Sequence, residues 1–223
     1  FTSEFGKIQA LAKGARRPKG PFESALDLLA LCRIVFLRKS SGALDLLTEA
    51  KLERRFRPPS RDLSCLYAGY YVAELLSELT DDYDPNTALF DLANEILLGL
   101  SRGESVSNSV LRWELAAMSV LGHLPSLETC VECGKKVPAT DRLAFGMLVG
   151  GVLCSDCRAG KRQVVSVHGG TIRAMACLAD LQTDSWKQLE LDARTRGELR
   201  GLMNNYLAHL LGHRPRMQEY LTA

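Results

Sequence analysis

Two cysteine pairs constrain this chain more than any other feature of it. Cys130-Val131-Glu132-Cys133 and Cys154-Ser155-Asp156-Cys157 each have the form C-x2-C, with twenty residues between them. Two sulfurs so spaced on a tight turn reach one ion, and two such turns complete a tetrahedron of thiolates. Gly134 follows the first pair, as such a turn favours, and residues 143–151 suit a short hairpin that returns the second pair to the first. The spacing therefore predicts Zn2+ on Cys130, Cys133, Cys154 and Cys157. Four thiolates leave no position for water, so the predicted metal is structural rather than catalytic. It can staple a small module that lacks its own core, or carry a binding platform with Lys135, Lys136 and Arg158 nearby; the sequence leaves both open.

Cys32, Cys65 and Cys177 lie in apolar periodic segments and read as small buried hydrophobes. An odd total of seven cysteines, four of them at metal spacing, points to a reducing compartment and away from a secreted disulfide framework. No secretory signal opens the sequence, and no apolar run approaches the ~18 residues a membrane helix needs. The chain opens with Phe1 rather than Met, which leads us to expect a missing beginning.

At 223 residues the chain is long enough for one large domain or two small ones. The front reads as β: a strand over 5–13, a Gly- and Pro-interrupted loop over 14–21, a strand over 32–38, a turn at 40–42 and a further strand within 44–56. Pro58-Pro59 marks a boundary. Helices follow, one capped by Ser60 and running to about 79, then 87–101 and 106–122, these three with apolar residues at helical spacing, and after the cysteine segment 170–181 and 192–211. The expected fold class is thus α+β and mostly helical. A β domain over 1–57 precedes a helical domain over 58–223, which carries a zinc-finger insert at about 128–160. His209 and His213 read as polar-face residues, His123 as a helix-end cation and His168, before Gly169-Gly170, as a turn residue.

Charge is segregated along the chain. Residues 1–59 hold twelve Lys and Arg against six Asp and Glu, residues 60–128 are net −8, and residues 129–223 are net +4. Lys7, Lys13, Arg16, Arg17 and Lys19 crowd the front, where a Gly- and Pro-bearing loop projects cations toward phosphate oxygens rather than base edges. No P-loop, G-x-S-x-G, H-E-x-x-H or kinase set is present, so a non-enzymatic protein is expected. Charge and cysteines together favour a nucleic-acid-binding protein. A zinc-ribbon protein–protein adaptor and an RNA-binding module without annealing activity are the alternatives.

Phe5-Gly6-Lys7 followed by Ala12-Lys13-Gly14-Ala15-Arg16-Arg17-Pro18-Lys19 resembles the front of bacterial RecO proteins. The order of parts is similar too: basic β front, helical middle, two C-x2-C pairs, closing helices. So are Gly151-Val152-Leu153-Cys154 and the late Leu207-x-His209-Leu210-x-Gly212 segment. The resemblance covers essentially the whole chain. It implies an N-terminal OB-like barrel, truncated here because the family's first strand should precede Phe1, on a helical domain with a zinc finger. It also implies a DNA repair and recombination mediator of the bacterial cytoplasm and nucleoid. Such a mediator binds single- and double-stranded DNA, anneals complementary strands, and works with RecR and the single-stranded-DNA-binding protein to load RecA. On this view Lys7, Lys13, Arg16, Arg17 and Lys19 contact DNA, and Cys130, Cys133, Cys154 and Cys157 hold structural zinc.

Overall fold

The computed structural model describes residues 1–15, 22, 25–39, 43–59, 63–138 and 140–221. The chain forms two compact units, one of Phe1–Ser109 with Arg216–Ala223, the other of Val110–Pro215. No helix among the described residues is long and apolar enough to cross a membrane.

In the first unit, β1 (Ala10–Ala12), β2 (Leu31–Leu37) and β3 (Asp45–Arg54) form a sheet in the order β1-β3-β2. β1 runs parallel to β3 and β2 antiparallel to it. Phe22, Ala25 and Ala50 are buried beneath this sheet, with Cys32, Ile34, Leu47 and Leu52 packed against them. Among the described residues the sheet does not close into a barrel: β1 and β2 are its two edges.

The strand expected over 5–13 shortens to three residues for a local reason. Gly6 sits at φ +67°, where an added Cβ would lie 2.1 Å from the Asp84 carbonyl oxygen. Residues 6 and 7 therefore run against the loop before the second helix, where Tyr83 N donates to Lys7 O at 2.9 Å, instead of extending the sheet.

Helices α1 (Leu63–Glu78) and α2 (Thr87–Ser101) pack beside the sheet within this unit. α1 buries Cys65, Ala68, Tyr71, Val72 and Leu75, and α2 buries Leu89, Leu92, Ala93, Ile96 and Leu100, the i, i+3, i+4 recurrence read from the sequence. Asn86 caps α2 by accepting from Leu89 N at 2.9 Å. Ser60, the expected cap of α1, lies outside the described residues. The 3-10 helix Arg216–Leu221 returns to α1, where the Glu74 carboxylate accepts from Arg216 N at 2.7 Å and Met217 N at 2.8 Å.

The second unit is built on helix α3 (Val106–Val120), in which every residue from Val110 to Met118 is buried. The sequence suggested one apolar face. The structure buries the whole circumference, which requires partners for the charges within it. Arg112 donates to Leu178 O at 2.7 Å and Asp180 O at 2.6 Å, and Glu114 accepts from Arg200.

Strands β4 (Arg142–Gly146), β5 (Gly151–Leu153) and β6 (Val164–His168) make an antiparallel sheet in the order β5-β4-β6. Helices α4 (Gly169–Ala179) and α5 (Ala193–Leu211) follow, with Asp192 capping α5 through Thr195 N at 2.6 Å and Gly212 ending it at φ 76°. β6 is a strand that periodicity did not reveal, and His168 is its last residue and the N-cap of α4, not part of a turn. Of the three further cysteines only Cys65 is buried. Cys32 and Cys177 are half-buried, their sulfurs against Ala25 O and Ser185 Oγ, because each segment exposes one flank.

Candidate metal centre and basic surfaces

The hairpin β4–β5 carries the second C-x2-C pair off the end of β5, and Val131 N donates to Val152 O at 3.0 Å, which holds the first pair beside it. Each pair is a tight turn: Gly134 N donates to Cys130 O at 2.8 Å, and Arg158 N to Cys154 O at 3.1 Å. Gly134 supplies the left-handed residue of the first turn at φ +71°. The four sulfurs of Cys130, Cys133, Cys154 and Cys157 all lie within 4.8 Å of one another. Cys133 Sγ and Cys154 Sγ are 3.8 Å apart. That is too far for a disulfide, and it equals the edge of about 3.8 Å of a tetrahedron whose metal–sulfur bonds are ~2.3 Å.

The thiols are electrostatically unequal. Backbone hydrogen bonds, chiefly from Cys154, outweigh burial and pull Cys130 down to about 6. Cys157 moves up, because its proton is shared with the neighbouring sulfurs of Cys154 and Cys133 and a second negative charge there would repel the first. The donor set and the spacing fit a divalent, thiophilic ion. Around the turns, Lys161 pairs with Glu132 at 2.8 Å and Lys135 with Asp156 at 3.9 Å.

The basic residues singled out at the front fare differently. Lys7 is turned to the end of α1, where its ammonium donates to Ser77 O at 2.8 Å and to Thr80 O, with Asp82 3.8 Å away. It occupies carbonyls that a helix end leaves without partners. Lys13 is exposed in the turn after β1. Arg16, Arg17 and Lys19 lie outside the described residues.

Sequence reasoning passed over a second feature of this unit. An open cavity of about 730 Å³ is lined by Gln9, Arg38, Lys39, Asp82 and Tyr83, among others. Tyr83 adopts φ 60°, unusual for a bulky residue, with the Arg38 guanidinium 4.0 Å above its ring and its hydroxyl donating to buried Asp45. Asp45 also accepts from Lys39 N at 2.9 Å. The Tyr83 hydrogen bond, followed by that of Lys39, holds the Asp45 carboxyl below its usual range. The same bond pushes the phenol of Tyr83 up. No residue spacing announces this arrangement, since residues 38, 45 and 83 meet only through the fold.

A β front, a helical body and four clustered cysteines define a mixed α/β protein with a site that could hold a metal ion. The family description Recombination protein O N terminal matches residues 1–56, and Recombination protein O C terminal matches residues 60–219. The chain is 39% identical to the DNA repair protein RecO of Rhodopirellula baltica over 99% of its own length and 90% of that protein's. It is 32% identical to the protein of the same name from Myxococcus xanthus, over 99% and 87%. It is 28% identical to that of Moorella thermoacetica, over 99% and 82%. The chain belongs to the Recombination protein O (RecO) family.

Proposed function

We propose that this chain is a non-enzymatic DNA repair and recombination mediator that binds single- and double-stranded DNA and anneals complementary strands. The observation that carries the reading is the family match along both halves of the chain, joined to relatives named as DNA repair proteins. The front, residues 1–57, is the OB-like domain of the resemblance. Residues 58–223 are the helical domain, with structural Zn2+ on Cys130, Cys133, Cys154 and Cys157.

Lys13, Arg16, Arg17 and Lys19 hold backbone phosphates, so binding is salt-sensitive and largely independent of sequence. Lys7 supports the same region from the end of α1. Annealing follows because a cationic surface holds two polyanionic strands close and offsets their repulsion. RecR, the single-stranded-DNA-binding protein and, indirectly, RecA are the partners, in the bacterial cytoplasm at the nucleoid.

The test is the annealing rate of two complementary DNA strands with and without the chain, at low and moderate salt. Salt-sensitive acceleration is expected. No acceleration at either salt overturns annealing, and absence of DNA binding in the same samples leaves the adaptor reading instead.

A further inference from the structure

A concentration of positive charge in the second unit has no part in the metal centre. Arg142 at the start of β4, Arg173 on α4 and Arg194 on α5 all converge on one short stretch, His168-Gly169-Gly170. Arg142 Nη1 is 3.0 Å from His168 Nε2, and Arg194 Nη2 is hydrogen-bonded to the same nitrogen. The same Arg142 Nη1 is 3.3 Å from His168 Nδ1, which in turn lies 3.2 Å from Glu198 Oε1. The Arg173 guanidinium lies over the glycine pair, Nη1 3.4 Å from where a Gly169 Cβ would stand and Nη2 3.8 Å from that of Gly170. Two residues without side chains give it that room.

Two guanidiniums therefore crowd one imidazole, with a third beside them. Among the described residues no carboxylate oxygen lies within 4.0 Å of any of the three guanidiniums. The nearby acids are committed elsewhere. Glu198 accepts from His168 N at 3.1 Å and from Thr171 Oγ1, so it already occupies the amino end of α4. Asp192 caps α5 and feels the charge of Arg194 from beyond ion-pair distance, and Asp141 meets the stretch through its carbonyl, which accepts from Gly169 N at 2.9 Å.

The array is also held in place. Arg142 Nε donates to Ser166 Oγ at 2.8 Å and Nη2 to Ser166 O at 2.7 Å, which leaves Nη1 directed at the imidazole. Exposed, pre-positioned guanidiniums without carboxylates lack only an oxyanion, and the forked guanidinium matches phosphate in particular.

We propose that Arg142, Arg173 and Arg194, gathered on His168, form a second nucleic-acid contact in this protein that takes backbone phosphate. The proposal rests on the reading of the chain as a DNA-binding protein, and adds to the basic front a site on the other unit. A chain with one contact on each unit can hold a strand at two points, or two strands at one each. The contact reads phosphate and not base, so it is indifferent to sequence.

The experiment is a salt titration of a labelled oligothymidine by fluorescence anisotropy, on the full chain with its metal. The parent is compared with Arg142→Gln/Arg173→Gln/Arg194→Gln and, separately, with Lys13→Gln/Arg16→Gln/Arg17→Gln. Loss of two to three phosphate contacts is expected to weaken binding about tenfold or more and to lower the salt slope by about 0.7 per contact. Unchanged affinity and slope in the arginine variant, with loss in the front variant, overturn this site and leave the front. Loss in the arginine variant alone overturns the front and keeps this site. A parent that binds no oligonucleotide overturns both.

Inorganic phosphate is titrated in parallel by thermal shift. Stabilisation of the parent but not of the arginine variant, with equal oligonucleotide affinity, identifies a small-anion site and overturns the nucleic-acid assignment. Where the triple variant melts early, Arg194→Gln alone decides by the same criteria, since it leaves both Arg142–Ser166 bonds in place.

Discussion

Glu114, wholly buried in α3, accepts a hydrogen bond at 2.6 Å from the guanidinium of Arg200 on α5. A carboxylate at such depth is tolerated because a cation meets it. Glu114→Leu leaves Arg200 without its partner, and Arg200→Leu takes the guanidinium away from Glu114 in the core. Each single change is expected to cost about 3–5 kcal/mol in urea denaturation. The double change to leucine restores most of that loss, because an apolar pair has no desolvation cost. A double variant as unstable as the worse single one would show that the pair does more than neutralise itself.

On the proposed zinc site, metal removal is expected to act on the second unit first. Dialysis against a strong chelator, or Cys130→Ser, is expected to release bound zinc and to lower the melting temperature. The readouts are metal analysis and circular dichroism. Acidification does the same, with a definite sign. Protons compete with the ion for the thiolates, so retention weakens as pH falls. A chain that holds no zinc at neutral pH, and melts identically with and without chelator, would remove the metal from the account.

Lys7 and Lys13 separate structure from binding. Lys7→Met removes the ammonium from the end of α1 and is expected to cost about 1–2 kcal/mol of stability with little change in the salt slope of DNA binding. Lys13→Met is expected to do the reverse, with stability kept and the slope lowered by about 0.7 to 0.9. Equal behaviour of the two in both assays would refute the distinction.

Glu198 makes part of the fold sensitive to acid. Partial burial works against its charge, but hydrogen bonds from Thr171 Oγ1, His168 N and the His168 ring outweigh that, and its carboxyl is held below its usual range. A lowered folded pKa contributes stability that is complete above the unfolded value of about 4.3 and is lost as pH falls through the folded one. The fastening of α5 to the start of α4 is therefore expected to loosen below about pH 4. Glu198→Gln should flatten the pH dependence of unfolding in that range, and a parallel curve would count against the role.

What the sequence made legible was local. The clustering of the four cysteines follows from spacing over three residues, and α1 and α2 from apolar recurrence. What escaped was set by the third dimension. α3 looks amphipathic until Arg112 and Glu114 find buried partners, and its burial on every side then becomes possible. β6 is five residues, too few for alternation to stand out, and is a strand because β4 offers it an edge. The expected barrel came from the resemblance; among the described residues the front is a three-stranded sheet with β1 and β2 at its edges, and at Gly6 the backbone turns against Asp84. His168 looked like a turn residue because the three arginines around it come from β4, α4 and α5.

The return of Arg216–Leu221 to Glu74 has a consequence for how the chain unravels. The unit of Val110–Pro215 is entered from the first unit and left into it. With the first unit intact, a melted second unit is a tethered loop of about a hundred residues rather than a free tail, and it has correspondingly less entropy to gain. Cutting the chain before Arg216, far in sequence from α1, frees one end of that loop and strips α1 of a cover. A truncation there is thus felt by both units, although it deletes nothing from the ribbon.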